Sequence, residues 1–142
     1  MNEVLEEVVA SAERAVVSLQ ARAGGRLDYS VASLEAVDEM LAEASAYVAE
    51  LDEDVVTGLV QQVGCYVLEV ARRAYGGMYY WHPDGEQPIL VAGEPAAHVA
   101  IMTWSKVVGR LTGDAGDEIP FFFAGFAERA AEPEPGSSVL FV

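Results

Sequence analysis

The chain has few of the residues that carry metal, redox or nucleic-acid chemistry. Among 142 residues there is one cysteine, Cys65. An internal disulfide is therefore excluded, and a lone thiol fits a reducing cytoplasm. There are two histidines, His82 and His98. A metal site needs three or four converging ligands, and two histidines 16 residues apart with Asp84, Glu86 and Glu94 in neighbouring turns are a weak match to that, so no metal is expected. Basic residues are scarce: eight Lys+Arg stand against 23 Asp+Glu, a net charge of −15. Such a chain repels nucleic acid and anionic lipid, which carry the same sign, and attracts a basic protein. No apolar run approaches the ~20 residues that span a bilayer. The opening MNEVLEEVV holds three glutamates and no basic residue. A secretory signal begins with positive charge, so the expected location is cytoplasmic.

What is present is a core. Hydrophobic residues make up 52% of the chain, far above the level of a disordered segment, and the length suits a single domain, residues 1–142. The acidity is uneven. Residues 1–54 hold 13 acids and three arginines, a net of −10, and the remainder nets −5. Solubility alone is a sufficient account of acidic residues on a small domain. The preference for arginine over lysine, with abundant alanine, valine and glycine, has the look of high-GC coding bias.

Periodicity predicts the elements. Leu5, Val8, Val9, Ala12, Val16 and Leu19 recur at helical spacing, so a helix is expected over 2–22, ended by Gly24 and Gly25. Asp28 and Ser30 can each cap a second helix over 31–49, with Leu34, Val37, Leu41, Ala44 and Val48 inward. LDED opens a third helix, 53–75, apolar nearly all round and therefore central. Gly58 and Gly64 within it predict close approach of another element. After Gly76 and Gly77 the period changes to two. Strands are expected at 78–82 and 88–92 around a PDGE turn, with Gly85 in the left-handed conformation, and a third at 97–102. Thr103 and Asp117 can cap two further helices, the second carrying Phe122, Phe123 and Phe126. VLFV at 139–142 closes the chain as a strand that needs a sheet edge, its own or a neighbour's. Segregated helices and strands mean α+β: N-terminal helices packed on a small, mostly antiparallel sheet, with two more helices near the C-terminus.

Candidate functional residues cluster at YYWHPDGEQPILV. Tyr79 and Trp81 share one strand face, and Met78, Tyr80 and His82 the other. One face must pack on helices, which leaves the other as a candidate interface, although strands favour aromatics in any case. In the central helix, Glu69 interrupts an apolar run. Its carboxylate needs a partner, and Arg72 and Arg73 lie within helical reach. Structural pairing is one reading, and an arginine presented to an anionic ligand is the other. Cys65 reads as a small buried hydrophobe. No G-x-S-x-G occurs, and no G-x-G-x-x-G lies between a strand and a helix, so neither nucleophilic catalysis nor a dinucleotide cofactor is supported.

The stretches LDYSVASLEAVDEML, GCYVLEVARRAYGGMYYW and KVVGRLTGDAGDEIPFFFAGF, in that order, resemble a group of small uncharacterised bacterial domains of unknown function. Their motifs have the form LDxSxxSLxxVD and GxYxGExxR followed by GGxxYW. The resemblance covers roughly residues 27–126, with Leu68 standing where the pattern has glycine. It implies an α+β domain with Asp28, Glu69, Arg72 and Trp81 at motif positions.

The reading leans to a non-enzymatic interaction domain, immunity-like or adaptor, for a basic protein. A small-molecule binding domain or enzyme is the second reading, with a pocket between the central helix and the 78–92 hairpin lined by Arg72, Tyr79 and Trp81. Homo-oligomerisation through 139–142 is the third.

Overall fold

A computed structural model describes residues 2–142 except 114, 115 and 117. Helix α1 spans Glu3–Leu19, α2 Leu34–Ser45, α3 Glu53–Tyr75, α4 Trp104–Leu111 and α5 Ile119–Ala131. Strands β1 Met78–His82, β2 Gln87–Ala92, β3 His98–Ile101 and β4 Ser138–Phe141 form one sheet in the order β1-β2-β3-β4. The first three strands pair antiparallel, and β4 pairs parallel to β3. The architecture is α+β, as the pattern predicts. The C-terminal strand joins the chain's own sheet, at an edge.

The predicted second helix is broken at both ends into 3-10 turns, Val31–Ser33 and Val48–Glu50. Ser30 caps the first, its Oγ accepting the Ser33 N–H at 3.1 Å, while Asp28 accepts from the Ser30 N–H and hydroxyl. Asp52 sits at the cap position of α3 without a side-chain bond. Thr103 likewise stands at the start of α4, but its hydroxyl donates to the Gly64 carbonyl at 2.7 Å and ties α4 to α3. The predicted Asp117 cap lies outside the described residues, and Glu118 occupies the cap position of α5.

Helix α3 is central and is buried almost continuously from Val63 to Ala71. Gly64 is there for close approach: a Cβ on it would lie 2.4 Å from Trp104 Cδ1. The same expectation is not met at Gly58, where nothing lies within 4 Å. At the end of α3, Gly76 and Gly77 take φ of +74° and +111°, and a Cβ on Gly77 would meet the Val91 carbonyl oxygen at 2.6 Å. Only glycine lets the chain turn so tightly from helix into β1. In the β1–β2 turn the left-handed residue is Glu86, φ +51°, not Gly85. Gly85 serves proximity instead, its N–H donating to His82 Nδ1 at 2.9 Å.

The sheet has two unlike faces. Tyr79, Leu90, Ile101 and Phe141 form one row across all four strands by register. Tyr79, Leu90 and Ile101 in that row are at most 2% exposed. Phe141 meets Phe126 of α5 edge-on, with ring centroids 6.3 Å apart. Helices α1, α3 and α5 pack on this inner face. The start of α1 is fastened to β1: Asn2 Oδ1 accepts from Val4 and Leu5 N–H, and its Nδ2 donates to the Tyr79 carbonyl at 2.9 Å.

Candidate functional site

Glu69 is fully buried and saturated with donors. Arg72 grips it bidentately, Nε to Oε2 at 2.6 Å and NH2 to Oε1 at 2.9 Å. The Tyr79 hydroxyl donates to Oε2 at 2.8 Å, and Arg73 Nε reaches Oε1 at 3.4 Å. Burial pushes the Glu69 carboxyl up, but the bonds from Arg72 and Tyr79 and the charges of both arginines outweigh it, leaving Glu69 below its ordinary value. Tyr79 is pushed up by its own burial and by the Glu69 charge, so it remains a protonated donor. A carboxylate held ionised with both oxygens occupied is a poor general base. The cluster does structural work, joining α3 to β1.

The network runs on through Arg73. Its guanidinium lies 3.6 Å from the Tyr29 ring centroid, and that ring stacks on Tyr66 at 4.9 Å. Tyr29 holds φ +64°, a conformation that costs a non-glycine residue about 1 kcal/mol or more. Besides Arg73 over its ring, two hydrogen bonds hold it there. Its N–H donates to the Tyr66 hydroxyl at 3.0 Å, its own hydroxyl donates to Glu13 at 2.6 Å, and Tyr66 is in turn bonded to Ser33 at 2.7 Å. Tyr29 and Tyr66 carry no candidate pattern in the sequence beyond their place in the LDYS and GCY stretches.

Of the five candidate residues, Glu69, Arg72 and Tyr79 therefore meet in one cluster around the buried Glu69 carboxylate. Trp81 and His82 do not join it. Trp81, 50% exposed, lines a cavity of about 380 Å3 between α1, α3 and the hairpin. Val4, Val8 and Ser11 of α1 make one wall, and Cys65, Pro88 and Trp104 make the rest of the interior. Arg72 and Tyr79 are absent from its lining. A Cys65 thiol is pushed up by burial to about 11, so it stays neutral there. The Trp104 indole N–H is buried with no acceptor, pressed against α3 beside Gly64.

His82 lies at the hairpin end and is committed to the Gly85 N–H. His98 Nε2 stands 3.7 Å from Glu94, whose other oxygen accepts the Tyr80 hydroxyl at 2.9 Å. Among the described residues, no three His, Cys, Asp or Glu side chains converge to hold a metal. No helix among them is long and apolar enough to cross a membrane.

The outer sheet face is the other unusual surface. Met78, Val91, Ala100 and Leu140 form a second row across all four strands, with Tyr80 and Ile89 paired beside it. Met78 is 55% exposed, Leu140 44% and Tyr80 42%. Helices fill the inner face and leave Met78, Tyr80 and Leu140 of the outer face exposed, with Val91 half-buried and Ala100 buried between them.

The chain matches no protein-family model, no curated protein and no solved structure.

Proposed function

We propose that this chain is a non-enzymatic, acidic interaction domain of the immunity or adaptor kind, working in the cytoplasm, and that the outer face of its sheet is where a basic protein docks. The observation that carries the reading is the Met78–Val91–Ala100–Leu140 row on the face without helices. Exposed apolar groups gathered on one face mark interaction sites, and Met78 and Leu140 stand exposed at the two ends of this row. Tyr80 adds an aromatic group of the kind enriched at interfaces. The partner's charge follows from the net −15 and from Asp84, Glu86 and Glu94 at the margin of the face, all exposed. Complementary charge speeds encounter and makes association sensitive to salt. The main carboxylate–arginine cluster is consumed internally, which favours binding over catalysis.

The test is affinity capture at low salt with three baits: the wild-type chain, the double variant Tyr80→Asp/Leu140→Asp, and Val17→Asp on α1 as a control, Val17 being 83% exposed. A single stoichiometric basic protein should be retained by the wild type and the control, elute as salt rises, and be lost from the outer-face variant. Retention by that variant, or elution indifferent to salt, would refute the assignment.

A further inference from the structure

We infer that the cavity beneath Trp81 binds a small organic cation, an ammonium or quaternary ammonium group on a compact apolar body. This site is separate from the outer sheet face and does not depend on the protein-docking reading. The chain has two tryptophans, and both Trp81 and Trp104 line this one cavity. Trp81 follows Tyr79 on the same face of β1, yet Tyr79 is 2% exposed and Trp81 is 50%. The difference is the cavity itself: where Tyr79 meets Glu69, Trp81 meets open space.

The electrostatics choose the ligand. Glu6 and Glu7 of α1 stand at the cavity, and Arg14 is the single cation among its lining residues. No ion pair involves Glu6 or Glu7 among the described residues. Two acids against one base, in a chain of net −15, give a negative mouth that concentrates cations and repels anions. The interior adds no charge of its own at Cys65, which remains a neutral thiol, so the selection rests on the mouth and the indole faces. An indole face attracts a cation through its quadrupole, and tryptophan does so best of the aromatic side chains. A bare metal ion is not served by this lining, which offers no converging ligand set. A volume of about 380 Å3 lies in the range of small-molecule sites.

Because both tryptophans line the same cavity, fluorescence excited selectively at tryptophan reports on it. The probe is acetylcholine, set against 3,3-dimethylbutyl acetate, which keeps the shape and replaces the charged nitrogen by carbon. Acetylcholine should give a saturable change in emission at low salt, and the neutral ester should bind about tenfold more weakly. By calorimetry, Trp81→Leu should lower acetylcholine affinity about tenfold, Trp81→Phe should recover part of it, and Glu6→Gln/Glu7→Gln should weaken it at low salt. Trp81 is half exposed, so these variants keep the fold. The outer-face variant Tyr80→Asp/Leu140→Asp should titrate as the wild type does, which separates this result from the fate of the docking reading. Equal response to both esters, no response to acetylcholine, or unchanged affinity in Trp81→Leu would each overturn the assignment.

Discussion

Two glycines of one helix should respond to the same substitution with opposite sign. Gly58 and Gly64 both lie inside α3. Replacing either by alanine removes the conformational freedom of glycine, a gain of up to about 1 kcal/mol in a helix interior. At Gly58 the new methyl meets nothing within 4 Å, so the gain stands and Gly58→Ala should stabilise by about 0.5–1 kcal/mol. At Gly64 the methyl would fall 2.4 Å from Trp104 Cδ1, 3.0 Å from its Nε1 and 3.2 Å from Thr103 Oγ1. A rigid indole edge must then retreat by about 1 Å to restore ordinary contact, which also strains the Thr103 bond to the Gly64 carbonyl. Overpacking of this kind costs about 1–3 kcal/mol. Net of the helix gain, Gly64→Ala should destabilise by up to about 2 kcal/mol. Urea unfolding followed by far-UV circular dichroism gives both values, with the slope unchanged if the folded state is otherwise intact. The variant Gly64→Ala/Trp104→Phe should regain part of the loss, because the smaller ring withdraws from the new methyl. If Gly64→Ala proves as stabilising as Gly58→Ala, the packing of α4 on α3 described above is wrong.

Removing the Glu69 carboxylate with Glu69→Ala leaves the Tyr79 hydroxyl buried without an acceptor and two arginines without their anion; a loss of about 2–4 kcal/mol is expected in the same assay. Since folding lowers the Glu69 pKa, its contribution is whole above the ordinary carboxylate range and disappears as pH falls through the lower folded value. The gap in stability between wild type and Glu69→Ala should therefore narrow in acid, and a gap constant with pH would contradict the pairing. Asp38 accepts both Arg110 Nε and NH2 at 3.0 Å and caps the Ile119 N–H at 3.0 Å, so it joins α2, α4 and α5; Asp38→Ala should cost about 1.5–3 kcal/mol, read as a fall in the thermal midpoint.

Local signals were the legible ones. The bounds of α3 follow from LDED at one end and the glycine pair at the other, and the change of period at Met78 announces the hairpin. The pairing of Glu69 with its arginines follows from helical spacing together with the price of burying a lone carboxylate. Relations between distant residues were not legible. Nothing in VLFV reveals that it lies parallel to β3 after a return through α5. Alternation places Tyr79 and Trp81 on one face, but it does not disclose that this face covers two compartments, a polar cluster and a cavity. Thr103 looks like a cap and is a brace, because its hydroxyl finds the Gly64 carbonyl across 39 positions of sequence. Tyr29 has no signal of its own, since the left-handed conformation there is imposed by Tyr66, Arg73 and Glu13 together.

The small contact made by Asn2 bears on how this molecule can assemble. A sheet with two bare edges can recruit neighbours on both sides and grow without limit. Here β1 forms one edge, and the Tyr79 carbonyl on it is already taken by the Asn2 side chain, while α1 runs against the same strand. The far edge, β4, carries no such closure among the described residues. A strand approaching β1 would find the Tyr79 acceptor occupied, so strand pairing between copies of this fold would be directed to β4.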